Sequence, residues 1–132
     1  MAERNIEKEF YTIGIPNENI QLSLQGAATS TINAKISLMN SVVTIDINIL
    51  NIIVTANGII ESTLPEKYTL PSSISSYTFP VICLVNGTAN TIAFTINAAG
   101  IITIYKSVSL TPFNSGDVVA LQAPISFYYL LS

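Results

Sequence analysis

The chain has 132 residues, enough for one domain around one core. Hydrophobic residues make up 49% of it and charged residues only 10%, against about 25% in an ordinary soluble domain, and the formal net charge is −3. So little charge leaves two readings: a chain embedded in a membrane, or one whose outer surface is covered by further copies of itself.

In chain order, five of the thirteen charged residues fall in the first nine positions. Met1 to Glu9 mixes both signs and has no apolar h-region, so it reads as a polar tail rather than a secretion signal. Synthesis in the cytoplasm is expected, with residues 1–19 as an N-terminal tip or attachment segment and residues 20–132 as a single β-sandwich domain.

From Ile20 the hydrophobic period is two. Ile20, Leu22 and Leu24, then Ile32, Ala34, Ile36 and Leu38, then Val43, Ile45, Ile47 and Ile49 alternate with polar neighbours. That pattern sends one face inward and the other toward water. At Ile49-Leu50 the phase slips, which marks a bulge or a strand that changes sheets. Asn57-Gly58 and Asn86-Gly87 carry the chemistry of tight turns with positive φ, the second joining Val81–Val85 to Thr91–Ile96. Residues 64–77 hold two prolines and four serines and are expected to form a long exposed connection, because proline cannot donate to a central ladder. Asn97-Ala98-Ala99-Gly100 and Asn114-Ser115-Gly116-Asp117 punctuate the later strands, and Ile125–Leu130 closes the chain. Short strands rich in Ile, Val and Thr, with turns at this spacing, predict an all-β antiparallel sandwich.

Run length decides against a membrane helix. The apolar run Val81-Ile82-Cys83-Leu84-Val85 has five residues, whereas a spanning helix needs about 20. Oligomeric burial is the better account of the missing charge. Arg4, Lys8, Lys35, Lys67 and Lys106 form no stripe, so nucleic acid is not an expected partner.

The chain has no histidine, which removes the usual general base and the commonest transition-metal ligand. Neither a Ser-His-Asp triad nor a zinc site is available, no glycine-rich phosphate loop occurs, and no cofactor is expected. Glu61, Glu66, Asp46 and Asp117 are simplest as solvated surface acids, although a pair of carboxylates across a cleft would suit a glycosidase. Cys83, between Ile82 and Leu84, reads as a small buried hydrophobe. Asn86-Gly87-Thr88 fits the glycosylation acceptor pattern but serves as a hairpin turn.

Aromatic residues are the remaining candidates. Tyr77, at the end of the serine-rich segment, offers a ring that could stack on a sugar or pack its own loop. Phe127-Tyr128-Tyr129 on one strand must point rings both ways. One face enters the core, and the other needs a second apolar environment such as a subunit interface.

The last ninety or so residues resemble the trimeric jelly-roll heads of phage and virus fibres, which are akin to the tumour-necrosis-factor-like domains that cap collagen-like stalks. The likeness lies in an order of features. Val42–Ile47 leads to Ile59-Ile60-Glu61-Ser62-Thr63-Leu64-Pro65-Glu66-Lys67-Tyr68, continuing to Pro71. Val81–Val85 follows, then the hairpin Thr91–Ile104 with Gly100 between its strands, and then the aromatic closing strand. The front departs from the family, with neither a collagen repeat nor a heptad shaft before residue 30. The resemblance implies a jelly-roll-like homotrimer on a virion surface, in contact with other virion proteins and with a host-surface glycan or protein. It also implies host attachment or particle assembly rather than catalysis. Tyr105, Phe127, Tyr128 and Tyr129 become the trimer-interface candidates and Tyr77 the ligand-binding candidate. A non-viral carbohydrate-binding sandwich is the alternative.

Overall fold

Alternation becomes two stacked antiparallel sheets in the computed structural model, which describes residues 15–68 and 76–130. The strands are β1 (Ile15–Ser23), β2 (Gln25–Gly26), β3 (Thr31–Met39), β4 (Val42–Ile49), β5 (Asn51–Ile53), β6 (Ile60–Thr63), β7 (Ser76–Val85), β8 (Thr88–Asn97), β9 (Ile101–Tyr105), β10 (Val118–Ala120) and β11 (Ile125–Leu130). One sheet has the order β1-β3-β4-β11 and the other β2-β6-β9-β8-β7-β10-β5. Between them the inward set of every long strand forms one core, with Ile36, Leu38, Val43, Ile45, Ile52, Ile60, Ile92 and Phe94 fully buried. Each such side chain contributes about 1.5–3 kcal/mol by leaving water.

Among the described residues the chain changes sheet four times, and the change from β4 to β5 is legible in the sequence as a slip of phase. Inward positions run Val43, Ile45, Ile47 along β4 and then Leu50, Ile52, Val54. Leu50 is the buried pivot between β4 in one sheet and β5 in the other, so the slip expected at Ile49-Leu50 is a change of sheet. Leu24 plays the same part between β1 and β2. There Gly26 has φ +86, and a Cβ on it would lie 2.5 Å from the carbonyl oxygen of Ile59, so only glycine fits.

Asn86-Gly87 is the two-residue turn expected, with φ 54 and 80 and Val85 paired with Thr88. A second turn of this kind, Asn40-Ser41 (φ 51 and 64), joins β3 to β4 without any glycine to announce it. Asn57-Gly58 is not a hairpin turn. β5 and β6 lie far apart in the seven-stranded sheet, and Gly58 instead exchanges backbone hydrogen bonds with Phe113.

The connection expected across 64–77 is only partly a surface feature. Glu66–Tyr68 forms one 3-10 turn that buries Tyr68 completely, and Ser76 and Tyr77 already belong to β7. Residues 69–75 lie outside the described residues, as do 1–14 of the expected N-terminal tip. β1 begins at Ile15, which puts residues 15–19 of that tip in a strand.

Candidate functional site

Ring packing across the open side of the sandwich decides the fate of most aromatic candidates. On β11, Phe127 and Tyr129 turn inward and are 5% exposed, while Tyr128 between them is 68% exposed. Across from them, β7 sends Tyr77 and Phe79 inward. Phe79 stacks on Phe127 with centroids 4.8 Å apart, Tyr77 meets Tyr129 at 5.6 Å, and Phe94 meets Phe127 at 5.5 Å. These separations suit attractive ring pairs, worth about 0.5–1.5 kcal/mol each beyond burial.

Two sequence expectations change accordingly. Phe127 and Tyr129 close the two sheets of one subunit and have no surface left to offer a neighbour. Tyr77 is a strand residue in this seam rather than part of the exposed serine-rich loop expected, and its hydroxyl donates to the carbonyl of Leu130 at 3.0 Å. The serines before it carry the composition of a loop, and nothing local in the sequence reveals β11 across from it. Tyr105 lies half-buried at the end of β9.

Sequence reasoning missed Tyr68. Its hydroxyl donates to Glu18 Oε1 at 2.6 Å, and its carbonyl accepts from the Tyr129 hydroxyl at 3.1 Å. Burial first, and then the Glu18 carboxylate, pushes the Tyr68 phenol well above its ordinary value, and burial does the same to Tyr129. Both remain hydrogen-bond donors at any ordinary pH.

Away from the seam, Asp117 anchors the turn expected at 114–117. Its carboxylate accepts from the Asn114 backbone N–H and the Asn86 side-chain amide, both at 2.9 Å, and pairs with Lys106 Nζ at 2.9 Å. Burial opposes its ionisation, but these three donors together prevail and hold the carboxyl below the usual range. Asp117 is thus a buried structural acid, not the solvated one expected. Cys83 is buried in β7, and desolvation pushes its thiol up to about 11, so it is a hydrophobe at neutral pH. Among the described residues no three His, Cys, Asp or Glu side chains converge on a point. No helix among them is long and apolar enough to cross a membrane.

The outer surface is where partners can act. On the four-stranded sheet Tyr128, Leu130 and Met39 are exposed around the β11 edge. On the seven-stranded sheet Ile53, Val118 and Ile82 are exposed on the neighbouring strands β5, β10 and β7. A cleft of about 470 Å³, lined by Phe79, Ile82, Pro124, Ile125 and Phe127 among others, runs between β7 and the segment entering β11.

Comparison with solved structures shows the same architecture in three viral and phage proteins. Avian reovirus sigmaC, residues 117–326, superposes with a TM-score of 0.51 over 87% of this chain and 63% of that one, at 13% identity. The head domain of lactococcal phage bIL170, described among receptor-binding domains, gives 0.51 over 88% of this chain and 99% of its own, at 16% identity. This is the fold of a phage or virus fibre head. A third match to the head fold is the reovirus attachment protein sigma1 in complex with alpha-2,3-sialyllactose, with a TM-score of 0.50, 16% identity, 92% of this chain and 67% of that one. No protein-family model matches the sequence, and no curated protein matches it. The likeness therefore lies in the head fold alone, and the chain spans less than two thirds of the sigmaC fragment.

Proposed function

We propose that this chain is the head of a viral or phage attachment protein, assembled as a jelly-roll homotrimer on the virion surface and free of catalytic activity. The observation that carries the proposal is the fold shared with a phage receptor-binding head domain, which this chain covers almost end to end, and with a reovirus attachment protein. A host-surface glycan or protein is the partner this reading calls for, and a reovirus relative in fold solved with a sialylated sugar supports the glycan. Other virion proteins are the partners at the base of the head.

The exposed apolar groups support a ring of subunits over a simple pair. A twofold dimer joins one self-complementary patch to its own copy, whereas a cyclic trimer gives each neighbour a different patch. Among the described residues one such patch lies around Tyr128 and Leu130 on the four-stranded sheet, and a different one around Ile53, Val118 and Ile82 on the other. Of the original interface candidates, Tyr128 and the half-buried Tyr105 remain available to a neighbour.

Light scattering on the purified protein is expected to give three times 14.2 kDa. Tyr128→Ser should shift the mass toward monomer while leaving the β-sheet spectrum intact. A monomeric wild type at micromolar concentration would refute the assembly, and failure of the labelled trimer to bind any host cell surface would refute attachment.

A further inference from the structure

The outer face of the four-stranded sheet also holds a small hollow of about 160 Å³, lined by Asn19 of β1, Asn33, Ala34 and Lys35 of β3, and Asn48 of β4. Strand register explains why these groups meet. Asn19 stands opposite Lys35, while the partners of Asn33 and Ala34 jump from Ile49 to Ile47, leaving Asn48 as the extra residue of a bulge. A bulge bends its strand and re-aims a side chain, and such features recur beside binding sites. Asn48 is exposed there, beside the exposed side chains of Asn19, Asn33 and Lys35.

These groups are not used by the fold. Among the described residues none of the three amides makes a side-chain hydrogen bond, and Lys35 lies in no ion pair. Asp46, opposite Lys35 in the ladder, accepts instead from the Ser126 hydroxyl on the far strand. Three amides and one ammonium thus share a hollow with their hydrogen-bonding capacity open.

We infer that this hollow binds a single acidic sugar unit, a monosaccharide ring carrying a carboxylate. Each asparagine offers two donors and a carbonyl acceptor, which suits hydroxyl groups that both give and take hydrogen bonds, and the lysine ammonium suits the carboxylate. The volume lies below the roughly 300–1,000 Å³ of sites for drug-sized ligands, so one ring fits and a longer glycan extends into solvent. Strands rather than loops supply the walls, which holds the groups in place before the sugar arrives. One shallow site of this kind binds weakly, and three on a trimer facing a glycan-coated surface gain by avidity. Only that last step, the use of the sugar as a host marker, rests on the attachment reading above.

Saturation-transfer NMR on the intact chain tests the site, using the methyl glycosides of N-acetylneuraminic acid and glucuronic acid with methyl galactoside as the neutral control. Transfer to at least one acidic glycoside is expected, exceeding that to the galactoside. Lys35→Gln should weaken the acidic ligand about tenfold, as loss of one charge-assisted hydrogen bond does. Asn48→Ala should remove binding at an unchanged melting temperature; if that change disturbs the bulge, Asn33→Ser provides the same test from β3. Absence of transfer, equal transfer to the neutral sugar, or acidic binding undiminished in Lys35→Gln and the asparagine variant overturns the inference. Cell binding measured in parallel keeps the two readings apart. Cells bound equally by wild type and Lys35→Gln would remove the sugar's role as a host marker and leave attachment standing. Sugar binding by a protein that binds no cells would keep the sugar site and remove attachment.

Discussion

Two junctions hold distant parts of this chain together, and they do so by opposite physics. The ring seam joins β7 to β11 through Tyr77, Phe79, Phe127 and Tyr129, and so ties one sheet to the other. The Asp117 corner joins the β7–β8 turn at Asn86, the segment after β9 at Lys106 and the loop before β10 at Asn114. Area removed from water stabilises the seam, which has no charge to lose. At the corner one carboxylate must stay ionised against the cost of its own burial. A domain this poor in charge relies on contacts of the first kind almost everywhere, which makes the second kind informative where it occurs.

Removing the central ring of the seam should produce the largest loss. Phe127→Ala deletes the partner of both Phe79 and Phe94, and truncation of a buried phenylalanine costs about 3–5 kcal/mol. Denaturant melts should show that loss equally at pH 4 and pH 7. A strong pH dependence in this variant would mean that the seam and the corner are coupled.

Asp117→Asn should cost less, about 1–3 kcal/mol at neutral pH, because it leaves the Lys106 ammonium and the backbone donor of Asn114 poorly matched. Its signature is the pH profile. The folded carboxyl ionises more readily than the unfolded one, whose pKa is about 3.9, so its stabilisation is complete above that value and fades as pH falls through the lower folded value. Wild type and variant should therefore converge in strong acid. Parallel curves down to pH 2 would show that the charge of Asp117 contributes nothing.

The smallest expected effect sharpens the comparison at the edge of the seam. Tyr77→Phe keeps the ring contacts to Phe79 and Tyr129 and removes only the hydrogen bond to the Leu130 carbonyl, which lies in an exposed position. A loss of no more than about 1 kcal/mol is expected in thermal melts, with host-cell binding unchanged. Impaired binding by a well-folded variant would return Tyr77 to the recognition surface.

Several features were open to reading because they are local. Alternation in 31–49 names the inward residues of β3 and β4, and the slip at Ile49-Leu50 reports the change of sheet, since a strand that turns to a new partner must reset which parity faces the core. Asn86-Gly87 announces its hairpin because few residues accept positive φ. Asn57-Gly58 carries the same signal yet pairs with Phe113, more than fifty positions away, so turn chemistry specifies backbone shape but not the partner. The fate of the rings was hidden for a related reason. Parity on β11 separates Tyr128 from Phe127 and Tyr129, but only the approach of β7 shows that the inward pair and Tyr77 complete each other. Likewise no pattern in the chain sets Asn19, Asn33 and Asn48 side by side, because their meeting depends on a one-residue difference in register between two strands.

By itself, the amino-acid sequence determined the class of this protein: an antiparallel β-sandwich, poor in charge and lacking the histidine that the commonest catalytic and zinc sites require. Only the tertiary structure decided which aromatic residues are core and which are surface, that Tyr68 is buried and Asp117 structural, and where polar groups gather without a use inside the fold. The division follows from range. Period-two burial and turn preference act between neighbours in the chain, whereas a seam, a buried ion pair or a hollow depends on which strands lie opposite one another, and strand pairing is set by the core as a whole.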